Sequence, residues 1–224
     1  MVAFRQNFER AMNRFSGGLL AWLFGEPQHE DYWNADRALM YAPVWNCVST
    51  ISGAFAIMPL NLHRKQGRNI TQQTDHASYK LLRWRPNNYQ APAQWKRQML
   101  CHALLWGNAR SYIHRDSRGR PIELIPLMPD RTSTILADGV KWHYTIVGEA
   151  DRLPYLLKMQ DIKQENIVWM EDREVWHVPG LGYDGIVGKS LISVARQSWQ
   201  VGLGAETHVR NQQKKGYAGG GKKG

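Results

Sequence analysis

Cysteine is nearly absent, with Cys47 and Cys101 the only two in 224 residues. Both lie on apolar stretches that read as helices, too few for a disulfide framework, and their scarcity points to folding in a reducing cytosol. No C-x-x-C occurs, and none of the eight histidines forms H-x-x-x-H or H-E-x-x-H, so neither a metal nor any other cofactor is expected. No apolar run approaches the roughly 18 residues of a membrane span. The longest near the start, LLAWLF at 19–24, has no cleavage-like site after it, so no membrane partner and no processed leader are expected. A G-x-x-x-x-G-K-[ST] phosphate loop and a G-x-S-x-G nucleophile elbow are also missing. The neighbouring acids Glu171, Asp172 and Glu174 read as solvated rather than as a paired-carboxylate site, and no enzyme is expected.

Acidic residues are outnumbered by basic ones, 19 to 29. Residues 61–100 carry eight Lys/Arg against Asp75 alone, whereas 149–174 carry seven acids against four bases. Such separation suits head-to-tail packing of identical subunits as well as contact with a polyanion. The candidate contacts are Arg64, Lys65, Arg68, Arg83, Arg85, Lys96 and Arg97, with Lys214 and Lys215 near the end. Ten tryptophans is a high load, suited to cores or subunit interfaces. In YKLLRWRPNNY at 79–89 aromatics alternate with bases, a pattern that can stack and bind phosphate or simply pack as a short helix.

Along the chain, Phe4, Phe8, Ala11, Met12 and Phe15 form a helical stripe read as an anchoring arm, followed by an irregular linker to residue 40. A helix from Pro43 to Ile57 places Val44, Cys47, Val48, Ile51 and Phe55 on one face, and Pro59 ends it. Leu60 and Leu62 alternate as in a strand, with a turn at QGRN. A short helix at about 75–84 stops before Pro86. A long one from about 93 presents Trp95, Met99, His102 and Trp106, and ends at Gly107 and Asn108. Two antiparallel hairpins follow, SYIH with PIELIPLM and 132–136 with 140–147. The fold class is therefore α+β, mixed helical and antiparallel sheet. After residue 210 lysines and glycines alone predict a flexible basic tail over 211–224.

The stretch 174–200, EVWHVPGLGYDGIVGKSLISVARQSWQ, organises the rest. It reads as strand, glycine-spaced loop and helix, with Ser190 as N-cap and Leu191, Val194, Ala195 and Val201 on the buried face. GLGYDG matches G-x-G-x-x-G, the loop that lets a backbone approach a pyrophosphate. Here IVGK separates the last motif glycine from Ser190, and no second strand follows the helix, so glycines supplying turns are the simpler reading. A nucleotide-binding enzyme using this loop is the weakest alternative.

His177, Gly180, Asp184, Gly185, Gly188 and Ser190, in the order H-x-x-G-x-x-x-D-G-x-x-G-x-S before a small-residue helix, resemble a signature of portal proteins from tailed double-stranded DNA phages. PVWNCVSTISGAFAIMPLNLHRK, DHASYKLLRWRPNNYQAPAQWKRQMLCHALLWGNARSYI and RDSRGRPIELIPLMPDR resemble further family segments in the same order, covering about 40–210. One departure is Leu191, where the family usually has proline.

The resemblance implies a wing-like domain over 41–210, an arm and linker over 1–40, and a structural role for the signature loop. It implies a ring, typically dodecameric, at one capsid vertex. Such a ring passes double-stranded DNA without sequence specificity in packaging and ejection, docks terminase, and meets capsid, scaffold and head-tail connector proteins, in the host cytoplasm during assembly and then in the virion. Portals that the chain resembles are longer, and nothing in it corresponds to their stem, clip and crown, so a fragment, a truncated product or a degenerate prophage copy is expected. A sequence-independent DNA-binding protein is the alternative.

Overall fold

The computed structural model describes residues 35–137, 139–148, 153, 166–182 and 184–219. The expected arm at 4–15 lies outside them. In chain order the described elements are α1 (Ala35–Leu39), α2 (Ala42–Ile57), β1 (His63–Gln66), β2 (Asn69–Gln72), α3 (Ala77–Arg83) and α4 (Pro92–Trp106). They continue with β3 (Asn108–Arg115), β4 (Pro121–Pro126), β5 (Thr132–Ala137), β6 (Val140–Val147) and β7 (Asn166–Glu171). After a 3₁₀ turn (Asp172–Glu174) come β8 (Val175–Pro179), α5 (Leu191–Val194) and α6 (Arg196–Gly219). The strands form a β1–β2 hairpin and two antiparallel three-stranded sheets ordered β4-β3-β8 and β5-β6-β7. None of the described helices is long and apolar enough to cross a membrane.

The turns follow from residue chemistry. Gly67, at φ 60°, closes the β1–β2 hairpin in two residues, pairing Gln66 with Asn69 as QGRN predicts. The strand itself begins at His63, after rather than across Leu60 and Leu62, and all its residues are exposed. Leu60 instead packs on a core. α3 is capped by the His76 ring, which accepts from the Ser78 amide at 3.1 Å. Pro92 opens α4, and the Gln94 side chain accepts from the Ala91 amide at 2.9 Å.

α4 divides the interior. Trp95, Met99 and Ala103 pack with Leu81, Leu82 and Leu124 beneath α3 and the first sheet. Leu105 packs with Ala35, Ala38, Ile192 and Trp199 of the first and last helices. A separate apolar layer lies between the sheets, with Tyr112, Ile125 and Val175 against Val147, Val168 and Met170. Of the tryptophans, Trp95, Trp142, Trp169 and Trp199 are buried, while Trp45 and Trp84 are exposed.

Three expectations need correction. The inner face of α2 is Val44, Val48, Ser52 and Ala56, with Cys47 and Ile51 exposed. Val44 and Val48 pack on the cluster that holds Leu105 and Cys101 of α4, so the helix is rotated from its most apolar stripe. On the last helices Leu191, Val194 and Val201 are exposed, and Ile192 and Trp199 are buried instead. The chain breaks at Ala195, which leaves the regular helical conformation and resets the helical phase between α5 and α6. α6 runs on through Gly219, so 211–219 is helical where a flexible tail was expected. Extending a helix already nucleated by packing costs little even through lysine and occasional glycine. Gly202 fits against the Tyr41 ring, whose hydroxyl oxygen would lie 2.4 Å from an added Cβ.

Candidate functional site

The signature loop leaves β8 at Pro179 and folds back on the junction of α4 and β3. The Gly180 amide donates to the Gly107 carbonyl at 2.7 Å and the Lys189 amide to the Leu181 carbonyl at 2.6 Å. Asp184 accepts from the Ile186 and Val187 amides at 2.8 and 2.9 Å. Those bonds, Val187 first, hold its carboxyl below the usual range. Ser190 caps α5 by accepting from Ile192 and Ser193, and its hydroxyl donates to the Leu105 carbonyl. The helix thus starts where the serine predicts, although leucine follows it.

The glycines serve close backbone contact. A Cβ on Gly188 would lie 2.1 Å from the Gly107 oxygen, and one on Gly107 2.4 Å from the Lys189 carbonyl carbon. Gly182 faces the Val187 oxygen, which an added Cβ would approach to 2.3 Å. Gly185 has open space and is used for its φ of 68°. The Gly180, Ile186, Val187, Gly188 and Lys189 amides donate to protein acceptors, and five residues separate the end of GLGYDG from the start of α5. A helix set apart from the motif and amides already engaged by protein acceptors speak against the nucleotide reading.

Asn108, a helix terminator in sequence, is the loop's anchor. Its Nδ2 donates to the Gly188 carbonyl at 2.8 Å and its Oδ1 accepts from the Gly188 amide at 2.9 Å, which fixes the amide orientation. His177 Nε2, 3.0 Å from the same Oδ1, must therefore be the protonated nitrogen. Its Nδ1 is buried without a partner among the described residues. Burial first, then the positive Arg110, pushes the His177 pKa down to about 3.

A polar layer joins the two sheets beside this anchor. Register pairs Arg110 with His177 across β3–β8 and Thr134 with His143 across β5–β6. The two histidine rings meet edge to face at 5.2 Å. Arg110, itself buried, donates to Thr134 Oγ1 at 2.8 Å and to the Thr132 carbonyl at 3.0 Å, and desolvation lowers its pKa to about 10. His143 is fully buried between Thr134 Oγ1 at 2.9 Å and Asp172 Oδ1 at 3.1 Å. A carboxylate only accepts, so Nε2 carries the proton and Nδ1 accepts from the threonine hydroxyl. Lys141 pairs with the same Asp172 oxygen at 2.8 Å.

The order Asp172, His143, Thr134 resembles a nucleophile triad, but Arg110 already binds the threonine hydroxyl and His143 is fully buried. It reads as a latch between sheets. Among the described residues no group of three His, Cys, Asp or Glu is placed to hold a metal.

A model of the family described as phage portal protein matches residues 42–222. The chain belongs to the phage portal protein family. It is 28% identical over 180 residues to the portal protein of Enterobacteria phage HK97, covering 80% of this chain and 39% of that protein. Protein BeeE of Escherichia coli (strain K12) is 25% identical over 109 residues, which is 49% of this chain and 69% of that one. Among solved structures, a chain of the neck of an empty GTA particle superposes with a TM-score of 0.62 at 21% identity, over 80% of this chain and 45% of that one. This portal-family chain thus spans less than half the length of the HK97 relative and of that neck chain.

Of the basic residues singled out by sequence, Arg64, Lys65 and Arg68 stand exposed on the β1–β2 hairpin. Arg83, Arg85, Arg97 and Lys214 are also exposed. Arg85 donates to the Asn88 carbonyl at 3.2 Å. The side chain of Lys215 lies outside those described. Lys96 is a correction, because it is buried and donates to the Met58 carbonyl, tying α4 to the end of α2. Desolvation, then the charge of Arg83, lowers its pKa. Periodicity could not show this, since a long side chain can bury its stem and still reach a carbonyl.

The geometry grades the loop residues. Asp184→Ala should lower the melting temperature by only a few degrees, and Gly185→Ala should cost about 1 kcal/mol for its positive φ. Thermal melts followed by circular dichroism would check both; a collapse of either variant would show that the loop tip, rather than its glycine contacts, carries the fold.

Proposed function

We propose that this chain is the wing-like part of a ring-forming portal at one capsid vertex, through which double-stranded DNA is packaged and ejected. The observation that carries this reading is the family match over 42–222, a span that includes both the loop and the sheets. In this role the signature loop is architectural. It fixes the strand, the polar layer and the final helix as one body that neighbouring subunits can press against. A heterologous ring contact needs two different complementary surfaces, and the exposed basic hairpin is proposed as one of them. Terminase, scaffold and connector proteins are the proposed partners of the assembled ring. Immunogold labelling of this chain on particles, viewed by electron microscopy, tests the placement. A single labelled vertex supports it, and labelling spread over the shell rejects it.

DNA contact in this reading needs only phosphate neutralisation. Arg64, Lys65 and Arg68 sit on a hairpin rather than on a recognition helix, so binding should be weak, indifferent to sequence and strongly salt-dependent. Mobility shifts with two unrelated duplexes at two salt concentrations would measure this. A preference for one duplex that persists in high salt would contradict it.

A further inference from the structure

Where α3 lies over the first sheet, the core beneath it is open at one end. The opening is a groove of about 460 Å³. Its floor is apolar, made by Leu81, Leu82, Ile113, Leu124 and Trp176, the last already engaged by Trp95 at a ring separation of 5.3 Å. Its rim is cationic. Arg115, Arg118 and Arg120 line one side, and Asp75 and His76 the other.

The β3–β4 turn holds the Arg115 and Arg120 guanidinium groups in place. Asp116 accepts from the Arg118 and Arg120 amides at 2.9 and 2.8 Å and pairs with the Arg120 side chain at 2.8 Å. Arg115 donates to the Gly119 and Arg173 carbonyls at 3.1 and 3.3 Å, which restrains it at the groove that it lines. Arg118 is exposed, and its guanidinium has no hydrogen bond or ion pair to a described residue. Three arginines against Asp75 and Asp116 leave the rim positive, with one cation uncommitted.

We propose that this groove docks an extended acidic peptide segment of a partner protein, with one large apolar side chain seated on the floor and its flanking carboxylates on Arg118 and Arg115. A guanidinium matches a carboxylate in two parallel hydrogen bonds, and the apolar floor gives such a segment an anchor. Duplex DNA brings charge but nothing to cover the floor, and the neighbouring Trp95 leaves Trp176 poorly placed to stack a base. The inference does not rest on the ring reading, and either can fail without the other.

Fluorescence anisotropy with the whole chain tests it, using a fluorescein-labelled peptide GEDLFEDG and its amide counterpart GQNLFQNG. The acidic peptide should bind at least about tenfold more tightly than the amide one, less so as salt rises from about 50 mM to about 300 mM. Arg118→Glu, on an exposed turn, should melt like the parent and lose about tenfold in affinity; Ile113→Ala should lose several-fold through the floor. Equal binding of the two peptides, or full affinity in Arg118→Glu, would overturn the proposal. So would displacement of the peptide by a short duplex that binds more tightly and is itself weakened by Arg118→Glu, which would make the groove a phosphate site.

Discussion

Replacing Gly188 with alanine is expected to be among the most damaging single changes in this chain, lowering the melting temperature by about 10 °C or preventing folding. The added methyl would sit 2.1 Å from the Gly107 oxygen and 2.3 Å from the Gly180 nitrogen, both backbone atoms that cannot swing aside as a side chain would. Relief requires separating β8 from the α4–β3 junction. That separation breaks both Asn108 bonds to Gly188 and the Gly180 to Gly107 bond together. Each buried polar group left unpaired costs about 1–3 kcal/mol. Gly204→Ala supplies the control, since nothing lies within 4 Å of its added carbon and alanine favours a helix by about 1 kcal/mol. Melts of the two variants by circular dichroism should move in opposite directions. If Gly188→Ala melts with the parent, the loop does not rest on the junction and its structural role falls.

The same loop shows how far sequence reaches. Its strand, N-cap and glycine spacing were legible because each is local chemistry: a serine before a helix, or a glycine at φ 68°. Its partner was not. Asn108 and Gly188 are 80 residues apart, and nothing in either neighbourhood distinguishes an anchoring asparagine from one that merely ends a helix. Both hairpins could be placed because their turns are short and glycine-marked.

Which residues share a sheet face across β3 and β8 depends on long-range register, and that register creates the Arg110–His177 pair. The latch between sheets was therefore invisible, although His177 itself stood in the motif. Helix faces failed for a related reason. On α2 the buried side is the one packed on α4 through Val44 and Val48, which carries Ser52 inward rather than Ile51, and at the start of α6 the break at Ala195 shifted the phase that continuous periodicity assumes.

Acidification should unfold the chain well above the carboxylate range, through its buried histidines. Burial lowers the pKa of His102 and His143 to about 4 and that of His177 to about 3. Each is neutral in the folded and unfolded states above its ordinary value of 6.5. Below that value the unfolded chain takes up protons that the folded chain refuses. Unfolded protein then binds more protons, and stability falls as pH falls, by up to about 1.4 kcal/mol per pH unit for each histidine. The groups facing them set the extent: Arg110 and Lys141 oppose protonation of His143 and His177, whereas Asp172 favours it, as Asp130 does for His102. Burial raises the Asp172 pKa, but the bonds and charges of Lys141 and His143 together outweigh it and hold it below the ordinary value, so Asp172 adds a further loss only as pH drops through that lowered value. Urea unfolding followed between about pH 7 and about pH 4.5 should show uptake of two to three protons on unfolding. His143→Gln keeps a donor and an acceptor in the layer but cannot titrate, so it should remove about one proton from that slope even if its stability at neutral pH is lower. A pH-independent midpoint across this range, or an unchanged slope in His143→Gln, would show that these histidines are not held neutral inside the fold.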